Sequence, residues 1–267
     1  MVQVIIRQET YGDRGEVNGL IEEAFAGGEY SDGNEHNLVV ALRNSEAFIP
    51  ELSLVAEEDG KILGHILFTK VEIDREVALA LAPLSVLPAR QREGIGLALM
   101  KAGHEVAKDL GYGLSIVLGS RHYYPKGGYV QAAQYGIKAS FDVPEENYMA
   151  LQLGEDTRRV DGLVQYDEAF AIDWDRFKPG DVVRHFKAET VTREEVAAGR
   201  YLYKIIGIAI HSETRERLMV YRALYGDGGI YVRPLEMFLG KVDRMKYPEV
   251  KQEYRFEKIE TEVVDES

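Results

Sequence analysis

Six consecutive residues, Gln91-Arg92-Glu93-Gly94-Ile95-Gly96, carry the plainest chemistry in the chain. They lie between an apolar run that ends in Leu84-Ser85-Val86 and an amphipathic stretch that starts after Gly96. Glycine lets a backbone approach a ligand closely, and the free N–H groups at a helix start attract phosphate with help from the helix dipole. A P-loop would need Lys-Ser/Thr after the second glycine, where Leu97 stands. A dinucleotide fingerprint would need a third glycine. An ordinary tight strand-to-helix turn is the plain alternative. Other chemistries find less support. The histidines are His36, His65, His104, His122, His185 and His211, with no His-x-x-x-His pair and no cysteine, so no metal site is expected. A Gly-x-Ser-x-Gly nucleophile elbow is absent.

The six residues resemble the Q/R-x-x-G-x-G/A signature of the GNAT N-acetyltransferase superfamily. The stretch from about Phe25 to Tyr129, with Tyr-Tyr-Pro at 123–125, resembles a bacterial subgroup of it. This resemblance implies acetyl-CoA as co-substrate, its pyrophosphate on the amides of Gln91, Arg92, Glu93, Gly94, Ile95, Gly96 and Leu97. It implies a bulged strand ending in Leu84-Ser85-Val86 that splays from its neighbour, with the pantetheine arm beside Leu84 and Val86 like an added strand. The Val86 N–H would then polarise the thioester carbonyl. Tyr124 stands where the family carries Tyr-x-x-x-Gly-Phe, which implies a general acid for the departing thiolate. A phenol with a pKa of about 10 suits a thiol. A purely structural aromatic is the alternative for Tyr124. Gly127 departs from the pattern, since a bulky residue is usual there.

Transfer to an amine also needs a group to take its proton. Glu35, His36 and His65 fall in segments that can line the acceptor side, and His122 precedes the tyrosines. Glu35 and His36 read more simply as solvated helix residues and His65 as a half-buried strand residue, and His122 is as ambiguous, so the base is left open.

The elements that must hold these residues follow from periodicity. Asp13 and Glu16 resemble a capping box, and Val17, Leu20, Ile21, Ala24 and Phe25 keep helical spacing. A weaker helical pattern runs from Glu35 to Arg43. Alternation on either side of Asp59-Gly60 predicts a hairpin. ALALAPLSVL reads as a strand covered on both faces. Ile95, Leu99, Ala102, Val106 and Leu110 predict one buried helix face, with Gly111 as its C-cap. The expected fold is α/β (α+β): a GNAT fold with a mixed, bent sheet flanked by helices over residues 1–155.

Residues 156–176 read as a linker, residues 177–258 as a small mostly-β domain and residues 259–267 as an acidic tail. The small domain resembles a bacterial family of unknown function, through Val-Tyr-Arg-Ala-Leu-Tyr and Val-Arg-Pro-Leu-x-Met-Phe. YLYKIIGIAI, RLMVYRALY and GGIYVRPLEMFLGKV are expected strands, with a helical stretch near Arg193–Ala198. Arg184, His185, Tyr221, Arg222, Tyr231 and Arg233 suit an anionic or planar ligand. Alternation that buries aromatics and exposes arginines explains the same composition.

The chain of 267 residues has a net charge of −13. Residues 1–155 hold 13 Lys/Arg against 23 Asp/Glu, and residues 177–258 hold 16 against 12. The acidic part repels nucleic acid and leans toward a cationic acceptor, while the second part is too weakly basic to argue for nucleic acid. No apolar run reaches the ~20 residues of a membrane span, and the N-terminus is too quickly charged for a signal peptide. A cytoplasmic protein without membrane contact is expected. The leading expectation is transfer of acetyl from acetyl-CoA to a primary amine on a small molecule, polyamine or protein. The rival is a non-catalytic acyl-CoA sensor whose β domain binds a partner or nucleic acid. A third reading gives that domain a role in homo-oligomer formation or pocket closure.

Overall fold

The structure, a computed structural model, describes residues 4–28, 31–154 and 160–259. It divides into two units between Phe170 and Ala171. The first begins with β1 (Ile5–Gln8), α1 (Arg14–Phe25) and α2 (Glu35–Arg43). Three long strands follow: β2 (Phe48–Glu58), β3 (Lys61–Ile73) and β4 (Glu76–Val86). Two tight turns join them, at Asp59-Gly60 as expected and at Asp74-Arg75, with all four residues at positive φ. That conformation matches the twist of paired strands. The second turn has no glycine and so gave no signal.

Helix α3 (Ile95–Asp109) then leads into β5 (Leu114–Leu118). Short strands β6 (Val130–Gln131), β7 (Ile137–Lys138), β8 (Tyr148–Gln152) and β9 (Gly162–Gln165) complete the unit. The main sheet order is β1-β2-β3-β4-β5-β8-β6, while β9 joins β3 and β7. Among the described residues only the β4–β5 and β7–β9 pairs are parallel. The mixed sheet flanked by helices is therefore present. Residues 162–170 were expected to be linker but belong to this unit, with β9 paired to Glu72 and Ile73 of β3. Four residues are too few to show a period.

Two local expectations change. Asp13 does not cap α1. It closes a box with Thr10 around a preceding turn and pairs with Arg7 at 2.7 Å, which holds its carboxyl well below the usual range. Glu16 instead accepts from the Ile62 N–H at 2.9 Å. The buried stripe of α3 is Ile95, Gly96, Leu99, Met100, Gly103, His104 and Ala107, while Leu110 is exposed. Glycine at 103 turns the helix, because a Cβ there would collide with the Phe68 ring. Gly111 caps the C-terminus at positive φ, its N–H donating to Lys108 O at 2.9 Å.

The second unit is an antiparallel sheet in the order β13-β12-β11-β10-β14. Its strands are β10 (Val182–His185), β11 (Leu202–Ile210), β12 (Arg217–Ala223), β13 (Ile230–Pro234) and β14 (Phe256–Lys258). A capped helix α4 (Arg193–Ala197) falls where expected. The run after Pro234 is not strand but helix α5 (Leu235–Leu239), since proline cannot donate to a ladder. Phe177, Tyr203, Tyr221, Phe238 and Phe256 form an aromatic core. Apart from Ile259, the expected acidic tail lies outside the described residues.

Candidate active site

Strands β4 and β5 pair through only two positions, Leu79 with Ser115 and Ala80 with Ile116. Beyond them β4 runs on to Val86 with β3 on one side only. The cause lies in β4: between Ile66↔Leu84 and Phe68↔Leu81 it holds one residue more than β3, a bulge at Ala82-Pro83. The free edge can be oriented from one hydrogen bond. Leu87 N–H donates to Leu63 O of β3 at 2.9 Å. Successive N–H groups of a strand point to opposite edges, so the Val86 N–H faces the gap toward β5. The Val86 carbonyl faces the same way and accepts from Gln91 Nε2 at 3.3 Å.

The gap opens toward the start of α3. Gly94 is left-handed at φ 87°, with open space where a side chain would be, so backbone conformation alone demands glycine there. Arg92 is also at positive φ. The first helical bond runs from Ala98 N–H to Gly94 O at 3.0 Å, which leaves the amides of Ile95, Gly96 and Leu97 without helical partners. Arg90 braces the loop, bonding Glu58 at 2.7 Å and Glu93 at 2.8 Å. Gly96 has a neighbour the sequence did not announce: a Cβ there would collide with the Tyr123 hydroxyl.

Tyr124 follows β5, its ring against Gly119 and edge-on to Tyr123 and Tyr129. Burial pushes its phenol well above the usual value, so it holds its proton at neutral pH. Its hydroxyl makes no hydrogen bond to a described residue. Gly127 leaves room for Met100 Sδ, which accounts for the small residue there. Tyr129 is a core residue, its hydroxyl bonded to Ser115 at 2.7 Å and His104 at 3.1 Å.

The base candidates are dispersed. Glu35 and His36 open α2, His122 is exposed on the loop after β5, and His65 is fully buried on β3. Sequence reasoning missed the company His65 keeps. Ser53 Oγ lies 3.1 Å from His65 Nε2 and 2.6 Å from Glu9 Oε2. Arg43 Nη2 pairs with Glu9 Oε1, and its Nη1 donates to Asn18 at 2.8 Å. No single segment carries this cluster, so periodicity could not reveal it. Among the described residues no His, Asp and Glu group could hold a metal ion, and no helix is long and apolar enough to cross a membrane.

In the second unit Tyr221 is core and Arg222 exposed, as alternation requires. His185 is packed among Phe186, Tyr201 and Phe256, where burial lowers its pKa to about 3. Arg184 bonds Gln252 at 3.4 Å, Tyr231 stacks on Tyr221, and Arg233 lies over Phe256. His185, Tyr221, Tyr231 and Arg233 thus gather around Phe256, while Arg222 is exposed and Arg184 turns to Gln252.

Comparison with known proteins agrees with this division. Residues 21–129 match the model of the acetyltransferase (GNAT) family, and residues 181–258 match a family of unknown function, DUF1653. The chain is 39% identical over 118 residues to the uncharacterized N-acetyltransferase YjhQ of Escherichia coli, covering 42% of this chain and 65% of YjhQ. The crystal structure of the E. coli GNAT N-acetyltransferase YhbS with CoA superposes with a TM-score of 0.59 at 25% identity, over 64% of this chain and 93% of that one. A GNAT acetyltransferase from Brucella melitensis, solved with acetyl-CoA, gives 0.53 at 36% identity, over 63% and 98%.

Proposed function

Because the chain belongs to the GNAT acetyltransferase family through its first unit, we propose that it moves the acetyl group of acetyl-CoA directly to a primary amine. The observation that carries this reading is the free inner edge of β4, which ends beside a glycine-capped helix start. Acetyl-CoA fits these residues. The unpaired β4 edge offers hydrogen bonds to an extended amide-bearing arm. The orphan amides of Ile95, Gly96 and Leu97, with Gly94, Arg92, Glu93 and Gln91 shaping the turn, suit a pyrophosphate. When bound, acetyl-CoA supplies the activated acyl group.

The chain's own residues then have distinct tasks. The Val86 N–H donates to the thioester oxygen and stabilises the charge that develops there, with Leu84 lining the arm. Tyr124, protonated at neutral pH, gives its proton to the departing sulfur. The excess of carboxylates over residues 1–155 attracts a cationic acceptor, a small molecule, polyamine or protein amine. Titration calorimetry of acetyl-CoA tests the coenzyme site. Micromolar binding is expected, weakened at least tenfold by Gly94→Val, since valine resists positive φ. Equal affinity in both proteins contradicts the assignment.

A further inference from the structure

Among the described residues, three buried side-chain atoms lack a hydrogen-bond partner: His65 Nδ1, Ser85 Oγ and Thr69 Oγ1. Unpaired buried polar atoms are costly, so a pair of them side by side calls for an explanation. Thr69 pairs across with Ala80, where β4 and β5 are still zipped. His65 and Ser85 are direct partners across β3 and β4, on the splayed stretch. Directly opposed side chains share a face and lie about 5 Å apart at Cβ. His65 is 0% exposed and Ser85 2%.

The rest of the cluster fixes which nitrogen of His65 carries its hydrogen. Ser53 Oγ donates its only hydrogen to Glu9 Oε2, at 2.6 Å. Toward His65 Nε2, at 3.1 Å, Ser53 can then only accept. The hydrogen therefore sits on Nε2, and Nδ1 presents a bare lone pair. Glu9 Oε2 is 4.0 Å from Nε2 and Arg43 comes from α2. Uncharged groups also face it: Ser53 from β2, Ser85 from β4 and, behind Arg43, Asn18 from α1. Burial and the Arg43 charge hold the His65 pKa well below the ordinary value, so the ring is neutral at pH 7 and holds a transferred proton only transiently.

Side chains alternate along β4, and Val86 points toward Gly96 of α3. Ser85 therefore points to the opposite face, the one on which α1 and α2 pack. Ser85 is the chain neighbour of Val86, and with His65 it lies buried under that face, next to where the Val86-bound carbonyl would be attacked. We propose that Ser85 and His65 form the proton acceptor of the transfer, a role that rests on the acetyltransferase reading above. As the neutral amine nitrogen bonds to the acetyl carbon, one N–H bond breaks and its proton passes to Ser85 Oγ. Ser85 Oγ, not bonded to His65 Nδ1 at rest, turns onto it and hands over its own proton. The C–S bond breaks with its electron pair on sulfur, which takes the Tyr124 proton. Exchange with solvent removes one proton from His65 and returns one to Tyr124.

The test compares wild type, Ser85→Ala and His65→Asn in the full chain. It measures CoA release from acetyl-CoA with spermidine, tyramine and a lysine-containing peptide as amine probes. Each variant should lose 10²-fold or more in kcat, the usual worth of a positioned acid or base, with acetyl-CoA affinity unchanged. In the variants log kcat should rise with pH, as hydroxide replaces the lost acceptor, where wild type is flat near neutrality. Ser85 Oγ has no bond to lose, so a structural role predicts that Ser85→Ala alters neither rate nor melting temperature. Variants with wild-type kcat and pH profile would overturn the proposal while leaving the acetyltransferase reading standing. If wild type itself releases no CoA, that earlier reading fails. The relay then falls with it; where wild type does release CoA, nitrogen NMR of His65 in the full chain is a second check, and a protonated Nδ1 at pH 7 overturns the relay.

Discussion

At the scale of single residues, the site rests on groups of low visibility. In the proposed site Val86 would contribute a backbone N–H, which β5 leaves free at the edge of β4. Tyr124, the proposed acid, is a phenol that burial keeps protonated. Tyr124→Phe retains the ring against Gly119 and removes only the hydroxyl. Turnover should fall about 10²-fold with acetyl-CoA affinity within threefold of wild type, read by CoA release and calorimetry. Unchanged turnover would return Tyr124 to the role of a structural aromatic. Tyr123 needs a separate control, because its hydroxyl occupies the space beside Gly96.

At the scale of elements, the bulge in β4 and the glycine turn into α3 do the positioning, and both have local sequence causes. Gly94 and the Asp59-Gly60 hairpin were legible because positive φ selects residue types. The stripe of α3 was not, because its orientation depends on a distant ring. Phe68 of β3 fills the notch at Gly103, which draws His104 inward to Tyr129 and leaves Leu110 outside. Gly103→Leu should therefore cost about 1–3 kcal/mol despite better helix propensity, measured by urea unfolding. A loss under about 0.5 kcal/mol would mean the notch is not filled as described. The Glu9-Ser53-His65 cluster was hidden for a related reason: three separate segments meet there, and each residue alone reads as an ordinary strand or loop position. The turn at Asp74-Arg75 and helix α5 were missed because neither carries a strong local signature.

At the scale of the whole molecule, each unit buries a histidine in neutral form. His104 is lowered to about 4 and His185 to about 3, both chiefly by burial. The unfolded chain therefore binds more protons than the folded one between those values and about 6.5. Stability should be full above pH 6.5 and fall as the pH drops through this window. Each histidine contributes at most about 1.4 kcal/mol per pH unit. Urea unfolding at pH 7 and pH 5 should show the decline, and equal midpoints would contradict the neutral assignment. The surface charge adds a functional expectation at the same scale, since the carboxylate excess of residues 1–155 favours a cationic acceptor. Among amine probes, spermidine should therefore lose more of its rate in high salt than tyramine.

The claim on which the rest depends is acetyl transfer itself. The most direct measurement follows CoA release from acetyl-CoA by the wild-type chain, with and without the amine probes, and weighs the amines by mass spectrometry. Amine-dependent release, with one amine heavier by a single acetyl group, is the predicted result. Tight binding of acetyl-CoA with no amine acetylated at any pH from 6 to 9 would contradict it, and would make the first unit an acyl-CoA sensor.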